Sequence, residues 1–179
     1  MKRIVVTGSL GQLGSELAPA LRARCGVDNV VVTDVRDDAK GELVEGGPFY
    51  QLDTRDGKRL AEIVRAHRAD TIFHLAALLS ATSEADPQRA WDININGLVS
   101  VLEVARELGC AVFTPSSIAA FGPQSPKDFT PQTTIQRPSA MYGITKVTGE
   151  LLCDYYYKRF GVDTRGVRYP GIISNIALP

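Results

Sequence analysis

Tyr142 and Lys146 lie four residues apart in "SAMYGITK", residues 139–146. On a helix such a pair shares one face. A tyrosine beside a lysine can work as an acid–base pair. A free phenol titrates near pH 10, too high for a base at neutrality. A nearby ammonium favours the phenolate and lowers that value. Taken alone, a Tyr–Lys pair on a helix is commonly a solvated ornament. Two neighbours argue otherwise. "PSS" (115–117) places Ser116 and Ser117 at the end of an apolar run. Ser117 can hydrogen-bond the same substrate oxygen as the phenol. Residues 122–138 then carry four prolines without a clear period, and long irregular connections are often functional.

A second group of residues speaks of phosphate. "TGSLGQLG" (7–14) sets Gly8, Gly11 and Gly14 between an apolar run and an amphipathic one. Gly8 allows a tight turn, Gly11 lets backbone approach a pyrophosphate, and Gly14 lets helix and strand pack closely. A helix N-terminus there offers free N–H groups to the phosphates. Asp34 ends the next β-branched run, twenty residues after Gly14. A carboxylate at that point accepts from a ribose 2′-OH and repels a 2′-phosphate, so NAD is favoured over NADP. Arg36, two residues on, works against that preference. Asp53 either meets the adenine amino group or serves as an Asx-turn or capping residue.

The elements that must position these groups alternate. Strands are expected at 3–7, 29–34, 49–53, 70–77, 111–117 and 162–171. Helices are expected at 12–24, 55–68, 88–108 and about 141–160, with a surface loop over 36–48. The helix 88–108 should turn Trp91, Ile95, Leu98, Val99, Leu102 and Ala105 to one side. The aromatics of "LLCDYYYKRF" (151–160) read mostly as core. Pro19 falls inside the first helix, where it should kink it. The pattern implies one α/β domain over 1–179 with a doubly wound parallel sheet of Rossmann type.

The bulk composition narrows the partners. The chain has 179 residues, with 20 Lys+Arg against 20 Asp+Glu and a formal charge of zero. That balance gives no argument for nucleic acid or an anionic membrane. No apolar run approaches a membrane span, and "IVV" after the basic start is too short for a signal-peptide core. Cys25, Cys110 and Cys153 lack zinc-ligand spacing and read as reduced, buried thiols, which fits the cytoplasm and no metal. His67 and His74 read as structural, with no partner evident for His74.

Together these motifs resemble the extended short-chain dehydrogenase/reductases, the NAD-dependent epimerase/dehydratase family. TGxxGxxG, "HLAA", the first Asn of "NING", the serine pair and YxxxK stand in that family's order. "TPSSIAAFGP", "TPQTTIQRPSAMYGITKVTGELL" and "RYPGIIS" are similar to its NAD-dependent L-threonine 3-dehydrogenases. The resemblance implies catalytic roles for Tyr142, Lys146, Ser117, Ser116 and Asn94, with Asn94 holding a water behind the lysine. It implies NAD contacts from Leu10, Gln12 and Leu13 in the glycine loop. Leu52, Leu75, Ala76, Ala77, Tyr169, Pro170 and Ile172 join them farther along, as do Tyr142 and Lys146. Leu79 and Ser80, with Ser117 and Tyr142, would meet the substrate. The implied reaction takes L-threonine to 2-amino-3-oxobutanoate. Sugar-nucleotide epimerases share the same catalytic motifs and are the alternative enzyme. A homodimer through 88–108 and 141–160 is also implied. Family members continue past "RYPGIIS" into a lobe that closes over substrate. This chain stops at "SNIALP", which predicts an absent substrate lobe, an open nicotinamide pocket and impaired turnover. A NAD-binding module without turnover is the third alternative.

Overall fold

In the computed structural model, residues 1–37 and 41–174 are described. The last five residues of "SNIALP" and part of the 36–48 stretch lie outside them. Six strands form one parallel sheet: β1 (Ile4–Thr7), β2 (Val30–Asp34), β3 (Phe49–Gln51), β4 (Thr71–His74), β5 (Ala111–Phe113) and β7 (Thr164–Arg165). Their order is β3-β2-β1-β4-β5-β7. The direction of travel reverses between β1 and β4, which opens a crevice at the carboxyl edge there. This is the doubly wound sheet that the alternating pattern predicts.

β1 and β2 are buried throughout, which explains their unbroken β-branched composition. Val5 is paired with Val31, and both join Leu60, Val64, Ile72, Leu102 and Val112 in one core layer. Ile4, Val6, Val30 and Val32 point to the other face and meet Ala18 and Leu21 of α1 (Gln12–Cys25). α3 (Gly57–His67) and α6 (Gly97–Leu108) cover the first layer, and α7 (Met141–Phe160) packs beside α6.

Several elements differ from the sequence expectation, each for a local reason. The fifth strand breaks at Pro115, which has no N–H to give. Thr114 N–H still reaches Arg165 O at 3.0 Å and Ser116 N–H reaches Val167 O at 2.8 Å. The pairing resumes as β6 (Ser116–Ser117) beside β8 (Arg168–Tyr169). Gly166 permits the close passage, since a Cβ there would lie 2.5 Å from Thr114 O. A short helix α2 (Glu42–Glu45) stands inside the expected 36–48 loop, and α4 (Ser80–Ala85) follows the fourth strand. α1 runs on through Pro19, which faces solvent. Water can then satisfy the carbonyl that loses its partner.

The expected helix 88–108 is α5 (Pro87–Trp91), a π turn (Asp92–Asn96) and α6. The wider turn shifts the helical phase. Trp91 is therefore 39% exposed, whereas Ile95, Leu98, Leu102 and Ala105 are buried. The 151–160 aromatics also depart from expectation. Tyr156 is buried, its hydroxyl donating to Glu103 at 2.5 Å. Tyr155, Tyr157 and Phe160 are exposed. Among the described residues no helix is long and apolar enough to cross a membrane.

Candidate active site

The glycine loop leaves β1 at the reversal point. Gly8 holds φ +68°, a left-handed conformation that suits glycine. A Cβ on it would also lie 2.6 Å from Ala76 N. Gly8 thus lets the turn press against the exit of β4, where Leu75, Ala76 and Ala77 are half-buried. Gly11 N–H closes the turn onto Gly8 O at 3.1 Å. Gly11 stands at the N-terminus of α1 in ordinary extended backbone, and no side chain caps that end. The first N–H groups of α1, at Gln12 and Leu13, are therefore not capped by a side chain, a setting for an anion. Gly14 fits the close-packing role, because a Cβ there would lie 2.5 Å from Ser9 Cα.

Asp34 ends β2 beside this loop and is 5% exposed. Its Oδ2 accepts from Leu10 N–H at 3.0 Å, and its Oδ1 accepts from Arg36 Nε at 3.0 Å. Arg36 is therefore folded onto the carboxylate. Leu52 N–H donates to Asp34 O at 2.8 Å, which brings the buried Leu52 to the same edge. Asp53 accepts from Arg55 N–H at 3.0 Å and pairs with the Arg55 guanidinium, an Asx-turn arrangement. The cap of α3 is Asp56 instead.

Tyr142 and Lys146 open α7. Gly143 sets their height: a Cβ on it would fall 2.2 Å from Ala119 O. The helix thereby presses onto the 3-10 turn Ile118–Ala120, whose cap is Ser117, accepting from Ala119 N–H at 3.1 Å. Burial holds the Tyr142 phenol above its usual pKa, and the neighbouring Ser117 side chain pulls it the other way. Lys146 Nζ donates to Pro115 O at 2.8 Å and lies 5.3 Å from the Tyr142 ring centroid. Burial brings the ammonium down to about 8, with Glu150 pulling the other way.

Asn94 is aimed by the π turn. Its Oδ1 accepts from Leu78 N–H at 2.7 Å, and its Nδ2 donates to Leu78 O at 3.1 Å and to Thr145 Oγ1 at 3.2 Å. The amide thus clamps the backbone just before Leu79 and Ser80, which begin α4 exposed. Ser116 turns from Ser117 and donates to Glu150. Tyr169 ends β8, Pro170 and Ile172 follow it, and Gln12 Nε2 reaches Ile172 O at 3.4 Å. Gln12, Leu13, Tyr169 and Ile172 line a cavity of about 260 Å³.

His74 has a partner after all. Its Nδ1 lies 2.9 Å from Thr7 Oγ1. Burial, then the charge of Lys146, brings its pKa down to about 3, so the ring is neutral. His67 meets Tyr50 OH at 2.9 Å in a structural pairing. Sequence reasoning missed Glu150 and Arg168, although a glutamate one turn after a candidate lysine is a legible signal. The residues fit a dinucleotide: an open helix end, a tight glycine turn and a buried acceptor at the second strand's tip. Among the described residues no cluster of His, Cys, Asp or Glu could hold a metal.

The profile of the NAD dependent epimerase/dehydratase family matches residues 4–176. An uncharacterised epimerase/dehydratase of Staphylococcus saprophyticus is 55% identical over all 179 residues, which cover 56% of its length. The chain thus spans a little over half of the curated relatives it matches. An L-threonine dehydrogenase from Clostridium difficile superposes with TM-score 0.97 at 55% identity, over 100% of this chain and 56% of that one. A UDP-glucose 4-epimerase from Thermotoga maritima superposes at 0.85 with 30% identity, over 93% of this chain and 55% of that one.

Proposed function

We propose, since the chain belongs to the NAD dependent epimerase/dehydratase family, that it carries the cofactor site and the catalytic residues of an NAD-dependent L-threonine 3-dehydrogenase. The observation supporting the chemistry is Lys146 at 5.3 Å from the Tyr142 ring centroid, with Ser117 capping the turn on which α7 packs. The observation carrying the substrate is the 55% identity with a threonine dehydrogenase against 30% with an epimerase.

In this reading Asp34 accepts from the ribose hydroxyls of NAD and the N-terminus of α1 faces its pyrophosphate. NAD, when bound, supplies the acceptor for the hydride from C3 of threonine. Ser117 orients the substrate hydroxyl and Tyr142 takes its proton. Lys146, as a buried cation, stabilises the phenolate that forms. Asn94 holds the 78–80 backbone, and with it Leu79 and Ser80, against the catalytic helix.

The outward face of α7 carries Ile144, Leu151 and Tyr155, exposed at helical spacing. It supports a homodimer through this helix and 88–108. Light scattering tests it: wild type should show the mass of a dimer and Leu151→Glu that of a monomer. Three free cysteines, Cys25, Cys110 and Cys153, fit a reducing compartment such as the cytoplasm. A substrate panel separates the enzyme readings. L-Threonine should reduce free NAD. Interconversion of a UDP-hexose with no net change in NAD would favour the epimerase.

A further inference from the structure

The catalytic pair has a charged neighbourhood with no role in the scheme above. Glu150 lies one turn after Lys146 on α7. It receives Ser116 Oγ from β6, Gln136 Nε2 at 3.0 Å, and both arms of Arg168 from β8, at 2.9 and 2.6 Å. Arg168 also donates to Gln132 at 2.9 Å and lies 5.1 Å from the Phe121 ring centroid. Both side chains are about three-quarters buried, at 24% and 23% exposure. Ser116 and Pro115 are adjacent, and Pro115 O is the acceptor for Lys146. One ion pair therefore ties together the catalytic helix, the strand end carrying both serines, and the irregular segment 122–137.

Glu150, Arg168, Lys146 and His74 line one cavity of about 800 Å³. We propose that the Glu150–Arg168 pair is a charge-setting clamp for the Tyr142–Lys146 pair. Glu150 is the counter-charge that keeps the buried ammonium cationic, and Arg168 tempers that charge while fixing its position. Both are positioning residues, and the catalytic meaning of the clamp rests on the function proposed above.

The other groups around Lys146 leave that task to Glu150. β4 presents His74, which is neutral. α7 presents the Tyr142 phenol, and Cys153, a thiol pushed up to about 12 by burial. Asp154, also on α7, is exposed. β7 presents Arg165, which pairs with Asp163 at 2.9 Å. The π turn and α6 face the cavity with Asn94 and Leu98, which carry no charge. Glu84 of α4 is spent on Met141 N–H. Glu150 is the charge that raises the Lys146 pKa against burial.

The test separates charge from scaffolding, because the two members of the pair must act oppositely on Lys146. The Lys146 side chain is titrated by NMR in purified protein without added NAD, and the alkaline limb of threonine oxidation is measured in parallel. Glu150→Gln should lower the Lys146 midpoint by about half a pH unit or more. Arg168→Met, which leaves the carboxylate uncompensated, should raise it. Ser116→Ala, which keeps both charges, should leave it in place. A clamp that were only structural would lose activity in both charge variants with no opposed shift, and that result overturns the proposal. If Glu150→Gln does not fold, Arg168→Met decides alone: an unchanged or lowered midpoint overturns it. Opposed shifts with no turnover in the wild type uphold the clamp and sink the threonine reading instead.

Discussion

The Lys146 ammonium is held to the carbonyl of Pro115 at 2.8 Å and lies 5.3 Å from the centroid of the Tyr142 ring. One strand break therefore positions the start of α7. Pro115 interrupts the fifth strand, and the interruption frees a carbonyl to face the lysine.

That geometry fixes a pH dependence. Lys146 loses its charge as pH rises through about 8. The phenolate then loses its stabilising neighbour, so kcat should fall on the alkaline side. Lys146→Met should remove this limb and lower kcat by about a hundredfold or more. A pH–rate profile of both proteins checks it.

Gly143 sets the depth of α7 against Ser117. Gly143→Ala would place a methyl 2.2 Å from Ala119 O, so the helix must move outward. Misplacement of about 1 Å costs about a hundredfold in rate. The expected outcome is a large loss of kcat with NAD affinity changed far less, measured by steady-state kinetics and calorimetry.

Asp34 should set the choice of dinucleotide. Asp34→Ala removes the acceptor for the 2′-OH and the charge that repels a 2′-phosphate. The ratio of NADP to NAD affinity should rise at least about tenfold. Parallel titrations with the two cofactors measure it.

His74 should govern acid stability. Its folded pKa, about 3, lies below the unfolded value of 6.5. The unfolded chain then binds the extra proton between those values, so stability is full above pH 6.5 and falls as pH drops. Each pH unit in that window removes about 1.4 kcal/mol. Denaturation curves at pH 7 and pH 5 should converge in His74→Asn relative to wild type.

Ser9 carries a cost of its own. Its Oγ is buried with no hydrogen-bond partner among the described residues. Ser9→Ala should raise stability by about 1 kcal/mol, visible as a higher melting temperature.

Strand and helix identities were legible because β1 and β2 are buried on both faces and α3 has a clean apolar stripe. The glycine loop and Asp34 were legible because their spacing alone fixes a turn and a strand tip. Less could be read where packing overrides pattern. The π turn leaves no compositional trace, yet it exposes Trp91 and aims Asn94. The outward tyrosines of α7 share the composition of a core helix. The Glu150–Arg168 pair joins residues eighteen apart through a β6–β8 contact, which no local spacing announces.

The central claim is that Tyr142 is the proton acceptor for a threonine hydroxyl. The most direct measurement follows NADH from purified protein with NAD and L-threonine, beside Tyr142→Phe. The account predicts NADH from the wild type, none above background from the variant, and NAD binding still measurable in the variant by calorimetry. Equal NADH from both proteins, or none from a wild type that binds NAD, would contradict it.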